Sequence, residues 1–111
     1  MLNKKYRINS SKEYNYLYKK GKKIQGRFMV IFMVENDLNI NRFGIVASKK
    51  VGNAVKRNRA KRRLREIIRN NRPTRGNGSD CVVVARTNIN GAKYALIENE
   101  FKHLMKRAGL I

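Results

Sequence analysis

The chain has 111 residues, 41% of them hydrophobic, and its 27 Lys and Arg against 7 Asp and Glu give a formal charge of +20. That size suits one domain with a single core, residues 1–111, while a charge far beyond what solubility requires calls for a polyanionic partner. No apolar run approaches the roughly 20 residues that span a bilayer, and the start MLNKKYRINS lacks the apolar stretch of a secretory signal, so nucleic acid in the cytoplasm is expected and a membrane is not.

Ser10, with Glu13 three residues on, forms a capping box, which opens a short helix through Tyr14, Leu17 and Tyr18 with Gly21 expected at its C′ position. From Arg27 to Val34 the run RFMVIFMV is apolar and β-prone. The polar ENDLNIN then leads into a second such run, RFGIVAS, and the two predict a hairpin.

Asn53 is the N-cap candidate of a helix with an unusual charge distribution. Arg57, Asn58, Arg59, Lys61, Arg62, Arg63 and Arg65 crowd it, with only Glu66 in opposition. Cations near a helix N-terminus meet the positive end of the macrodipole, at a cost of about 0.3 kcal/mol or more each. At about 100° per residue, Ala60, Leu64, Ile67 and Ile68 form a core-facing stripe, and Asn58, Arg62, Arg65 and Arg69 gather opposite it. Arg57 lies nearer the stripe but in the first turn, beside Lys49, Lys50 and Lys56, so the cations make one continuous surface. Most helix charges are simply solvated; so dense a cluster, almost without acid, favours a bound polyanion.

RPTRGNGS, with Pro73, Gly76 and Asn77-Gly78, breaks the chain before the apolar strand DCVVVAR. Cys81, the single cysteine, reads as a buried strand thiol, since one cysteine makes neither an intrachain disulfide nor a zinc cluster. From about Ala92 to Arg107, Tyr94, Ile97, Phe101, Leu104, Met105 and Ala108 recur at helical spacing, and Gly109 follows as a stop. The expected domain is a sheet of about four strands with helices packed on it. His103, the one histidine, falls on this last helix, and the acidic residues show no paired or metal-ligand spacing. No catalytic residue and no metal ligand is therefore assigned.

The string VASKKVGNAVKRNRAKRRLRE resembles the signature of the protein subunit of bacterial ribonuclease P, whose mark is Arg-Asn-Arg in a basic helix after a Ser-Lys-Lys strand end. The resemblance covers essentially the whole chain, element by element and in order. It implies an α+β fold, a small α/β sandwich similar to the second domain of ribosomal protein S5, with the basic helix in a left-handed crossover where about 98% of such units are right-handed. The resemblance further implies that a catalytic RNA is bound by Lys49, Lys50, Lys56, Arg57, Asn58, Arg59, Lys61, Arg62, Arg65 and Arg69. A central cleft with Tyr14, Tyr18 and Phe32 would receive the single-stranded 5′ leader of precursor tRNA. The family often has Phe at the two helix positions; Tyr keeps the stacking face and adds a hydroxyl. Aromatic rings give unstacked bases a sequence-tolerant platform while cations follow the backbone, although the same spacing also suits core residues. Magnesium, held mainly by the RNA, would supply the chemistry, the protein binding none tightly and needing no obligate protein partner. Two other classes compete: a basic ribosomal or other structural RNA-binding protein without a role in tRNA processing, and a DNA-binding module with its basic helix in a major groove.

With about 6 to 10 phosphates contacted, RNA affinity should fall about 10³- to 10⁵-fold between 50 and 200 mM salt. A filter-binding series checks this, and a nearly flat response would remove the electrostatic account.

Overall fold

A computed structural model describes residues 6–8 and 10–111. Its elements are α1 (Ser11–Lys20), β1 (Lys22–Gln25), β2 (Met29–Glu35), β3 (Arg42–Val46), α2 (Ala54–Asn71), β4 (Ser79–Ala85) and α3 (Tyr94–Arg107), with a 3-10 turn at Thr87–Ile89. The four strands form one mixed sheet in the order β1-β2-β4-β3. β1 and β4 each run antiparallel to β2, and β3 runs parallel to β4, the crossover between them carrying α2.

β4 takes the interior of the sheet because it is apolar on both sides. Cys81, Val83 and Ala85 face a large core with α2 and α3, while Val82 faces a smaller one with Ile8 and Leu17. The pairing expected between RFMVIFMV and RFGIVAS does not occur: β4 lies between β2 and β3. Proximity in sequence suggested that hairpin, but the polar connection is a broad arch. Asp37 and Asn39 adopt positive φ (58° and 60°), and the Asn36 amide accepts from Leu38 N–H and donates to the Ile40 carbonyl. The arch meets the start of β4, where Asn36 N–H donates to the Gly78 carbonyl. The hairpin that does form joins β1 to β2. β1 has one buried residue, Ile24, among two lysines and a glutamine, a pattern that protects a sheet edge and carries almost no apolar signal.

The stripe Ala60, Leu64, Ile67 and Ile68 is the buried face of α2, as the spacing predicts. α3 adds Ile97, Phe101, Leu104 and Met105 to the same core. It starts at Tyr94, two residues later than the periodicity suggests, and closes with Gly109 and Leu110 N–H donating back to the Lys106 and Met105 carbonyls. Two acidic side chains pin it: Glu98 accepts from the Asn71 amide of α2 at 2.8 Å, and Glu100 accepts from Phe28 N–H in the β1–β2 turn at 2.8 Å.

Gly21 is not the left-handed cap expected; its φ of −72° suits any residue. Glycine is required there by close approach, because a Cβ would strike the Leu17 carbonyl oxygen and stand 3.2 Å from that of Met33. Gly21→Ala should therefore cost about 1–3 kcal/mol, read as a lower urea midpoint at unchanged slope.

Burial pushes the Cys81 thiol up to about 12 from an ordinary 9.0, with Asp80 adding to the effect. The folded state thus holds its proton longer than the unfolded chain. The thiol's stabilising contribution is complete below pH 9.0 and lost as pH rises toward about 12. Native protein at neutral pH should resist alkylation, and urea should expose one reactive thiol. Rapid modification of the native chain would show that the strand opens.

Candidate nucleic-acid interface

One sheet face is closed by α2 and α3; α1 lies against the other and is held there by charge. Arg42, the first residue of β3, donates through Nε and one terminal nitrogen to both oxygens of Asp80 on β4, at 2.8 and 2.7 Å. The same terminal nitrogen reaches Glu13 of α1 at 2.5 Å. Asn36 completes the cluster by donating to Asp80 Oδ1 at 2.8 Å. The hydrogen bonding to Asp80 dominates in raising the guanidinium's proton affinity, desolvation works against it, and Glu13 assists. The expected capping box is formed: Glu13 N–H donates to Ser10 Oγ, which donates back to the Glu13 carboxylate, both at 3.2 Å.

Held in this way, α1 presents Tyr14 and Tyr18 to the sheet. Leu17 is buried among Ile8 and Val82. Tyr14 lies over Gly44, where a Cβ would come within 2.6 Å of the ring carbon bearing the hydroxyl; only glycine on β3 lets the ring down. Tyr18 meets Phe32 edge-on, ring centroids 5.2 Å apart at 87°, and remains 41% exposed. Lys23, paired with Phe32 across the strands, holds its ammonium 5.9 Å from that ring. Val30, Val84 and Val46, in register across β2, β4 and β3, form a half-buried apolar row on this face. Burial raises the pKa of both tyrosines, Arg65 opposing the shift at Tyr14 and Tyr14 adding to it at Tyr18. Both phenols therefore offer a neutral ring and a hydroxyl.

Arg65 brings the second surface up to the first. α2 begins at Asn53, whose side chain accepts Lys56 N–H at 3.0 Å, and its first turn contains no acid. Arg65, at the edge of the outward set Asn58, Arg62 and Arg69, reaches Tyr14 with its charge, and helical spacing puts Arg57 and Lys61 on that same flank. Lys56, Arg59 and Arg63 take the other flank, around a cavity of about 110 Å³ closed by Ile89, Asn90 and Gly91. Arg63, one of the cations crowding α2 but not among those the resemblance assigns to RNA, thus stands beside Lys56 and Arg59. Lys49 and Lys50 are exposed on the loop before α2. That loop is fastened by Thr87 Oγ1 donating to the Lys50 carbonyl at 3.1 Å and Asn90 Nδ2 to the Val51 carbonyl at 2.5 Å. Nothing in the string TNIN announces those contacts. Neither ion pair found among the described residues involves α2.

Among the described residues no three His, Cys, Asp or Glu side chains gather as a metal site, and no helix is long and apolar enough to cross a membrane. His103 is exposed on α3.

A family model described as Ribonuclease P matches residues 2–109. The ribonuclease P protein component of Syntrophomonas wolfei is 46% identical over 110 residues, covering 99% of this chain and 92% of that one. Among solved structures, a Staphylococcus aureus RNase P protein mutant with defective mRNA degradation activity superposes with a TM-score of 0.87 at 33% identity, covering 97% of this chain and 92% of that one. The Thermotoga maritima RNase P protein gives 0.82 at 30% identity, covering 91% and 96%.

Removing Arg42 leaves Asp80 buried with only Asn36 as partner and unties α1. Arg42→Ala should cost about 3 kcal/mol in a urea titration, and amides of α1 should lose exchange protection before those of α3. Equal loss in both helices would show that the arginine supports the whole fold and not α1 in particular.

Proposed function

The chain belongs to the ribonuclease P protein family and is a protein component of that endoribonuclease complex, with ribonuclease P RNA as its partner; we propose that it grips this RNA with α2 and feeds the 5′ leader of precursor tRNA across the sheet. In this reading Lys49, Lys50, Lys56, Arg57, Asn58, Arg59, Lys61, Arg62, Arg65 and Arg69, with Arg63, contact the RNA backbone. Tyr14, Tyr18 and Phe32 receive leader bases beside the Val30, Val84 and Val46 row. The observation that carries the proposal is continuity: Arg65 lies within electrostatic reach of Tyr14, and Glu13, the acid that also reaches this ring, is paired with Arg42, so a strand leaving the cationic helix meets stacking rings directly. Membership in the family sets aside the ribosomal and duplex-DNA alternatives.

Bond cleavage is assigned to the RNA and to magnesium held there, in the cytoplasm. Supporting this, most of the chain's few carboxylates already have structural partners: Glu13 and Asp80 on Arg42, Glu98 on Asn71, Glu100 on Phe28 N–H. The protein's part is to hold substrate and catalyst together, so that magnesium acts at lower concentration.

Two experiments test the two halves. Tyr14→Ala with Tyr18→Ala should weaken leader-bearing precursor tRNA by about 1–3 kcal/mol per lost stack, leaving mature tRNA and RNA-subunit binding nearly unchanged. Tyr18→Ala alone, at the more exposed ring, guards against simple unfolding. Equal losses for precursor and mature tRNA would put the tyrosines outside the leader path. In the second experiment, nuclease-treated protein without RNA should leave precursor tRNA intact at every magnesium concentration, whereas the reconstituted particle cleaves at low magnesium, and His103→Gln should not alter its turnover. Site-specific cleavage of precursor tRNA by the RNA-free chain would move the chemistry into the protein; an mRNA substrate run in parallel would separate this from general degradation.

A further inference from the structure

Away from these surfaces, the C-terminal end of α2 and the start of β3 enclose a cavity of about 140 Å³ that nothing so far employs. Its interior is apolar, set by Phe43 and Ile68, both buried. At its lining stand Tyr6 and Arg72, the guanidinium carbon 4.4 Å from the ring centroid, with exposed Asn39 and Thr74. We propose that this cavity is a second nucleotide site, taking one unstacked pyrimidine base of single-stranded RNA.

Size, chemistry and rigidity each support that occupant. An apolar cavity on the order of 150 Å³ admits benzene, so this one, which has an open mouth, holds a single six-membered ring and leaves part of a purine outside. Tyrosine rings and arginine guanidinium planes are the groups on which splayed RNA bases stack. The amide of Asn39 and the hydroxyl of Thr74 supply donors and acceptors for a base edge. Asn41 serves as wall, because its amide is already committed: Nδ2 donates to the Pro73 and Arg75 carbonyls at 2.7 and 3.1 Å, and Oδ1 accepts from Ser79 N–H at 2.9 Å. These three bonds tie the loop after α2 to the strand opposite, so the cavity is built before a ligand arrives. Among the described residues no carboxylate lines it, and exposed Arg69 and Arg75 flank Arg72 in sequence as partners for adjoining phosphates.

The source of the base rests on the proposed function; the site itself does not, since free nucleoside probes it. Isotope-labelled protein would be titrated with millimolar uridine, adenosine and ribose 5-phosphate while the Ile68 methyl and Phe43 ring resonances are followed. Uridine should shift both saturably, and adenosine and ribose 5-phosphate should not. Tyr6→Ala should weaken uridine about tenfold, the loss of one base stack, and independently Thr74→Trp, which fills the mouth from an exposed position, should weaken it at least as much by exclusion. The Tyr14→Ala, Tyr18→Ala variant should keep the shifts, which separates this site from the sheet surface. Absent uridine shifts, equal shifts with ribose 5-phosphate, adenosine binding as tightly as uridine, or loss in the Tyr14, Tyr18 variant would each overturn the assignment.

Discussion

The three-way contact of Arg42 with Asp80 and Glu13 is the constraint on which the placement of α1, and with it the whole aromatic surface, depends. It joins β3 to β4 at a point where the two are paired in register, and it reaches out to α1. α1 needs that tie because Leu17 is its single fully buried residue, too little apolar area to dock a helix of ten residues securely. Tyr14 and Tyr18 are therefore positioned by an ion pair in the first turn of their own helix. The Tyr14 ring can settle only because β3 offers Gly44 beneath it.

Scarcity of acid shapes the surface as well as the interior. Glu13, Asp80, Glu98 and Glu100 are drawn inward to arginine, to an asparagine amide and to a backbone N–H, so little negative charge is left to neutralise the outside. α2 shows the tension most clearly. Its N-terminal cations oppose the helix dipole, and Asn53 satisfies one backbone N–H without adding a countercharge. The helix persists because Ala60, Leu64, Ile67 and Ile68 bury one face completely, which leaves the other faces free to carry charge that would not fold unaided.

Periodic features were legible in the sequence: the stripes of α2 and α3, the Asn53 cap, the capping box at Ser10 and the apolar run of β4 all sit where spacing puts them, since each depends on residues within one element. Pairing between elements was less legible. The stretch ENDLNIN read as a hairpin turn because sequence distance favours local pairing, whereas doubly apolar β4 wins the place beside β2. KKIQ lacked the alternation that marks a strand. Thr87 and Asn90 act on a loop 37 and 39 residues away, and the cavity beside Phe43 and Ile68 is assembled from separate segments; neither leaves a trace in local composition. Helical spacing suits the tyrosines of α1 both as core and as stacking residues, and their seat on Gly44 and Phe32 comes from strands far off in sequence.

The insertion of β4 between β2 and β3 has a bearing on synthesis. β3 finds its full ladder only in β4, and β2 gains its second neighbour from the same strand, so the sheet cannot close until residues 79–85 have left the ribosome. Until then α2 has helical potential and no surface to rest on, and a long, strongly cationic nascent segment stands open to whatever polyanion is near. Such non-local closure slows folding, and the chain must stay unaggregated through that interval by mutual repulsion of its own lysines and arginines, the same excess charge that the finished protein turns toward RNA.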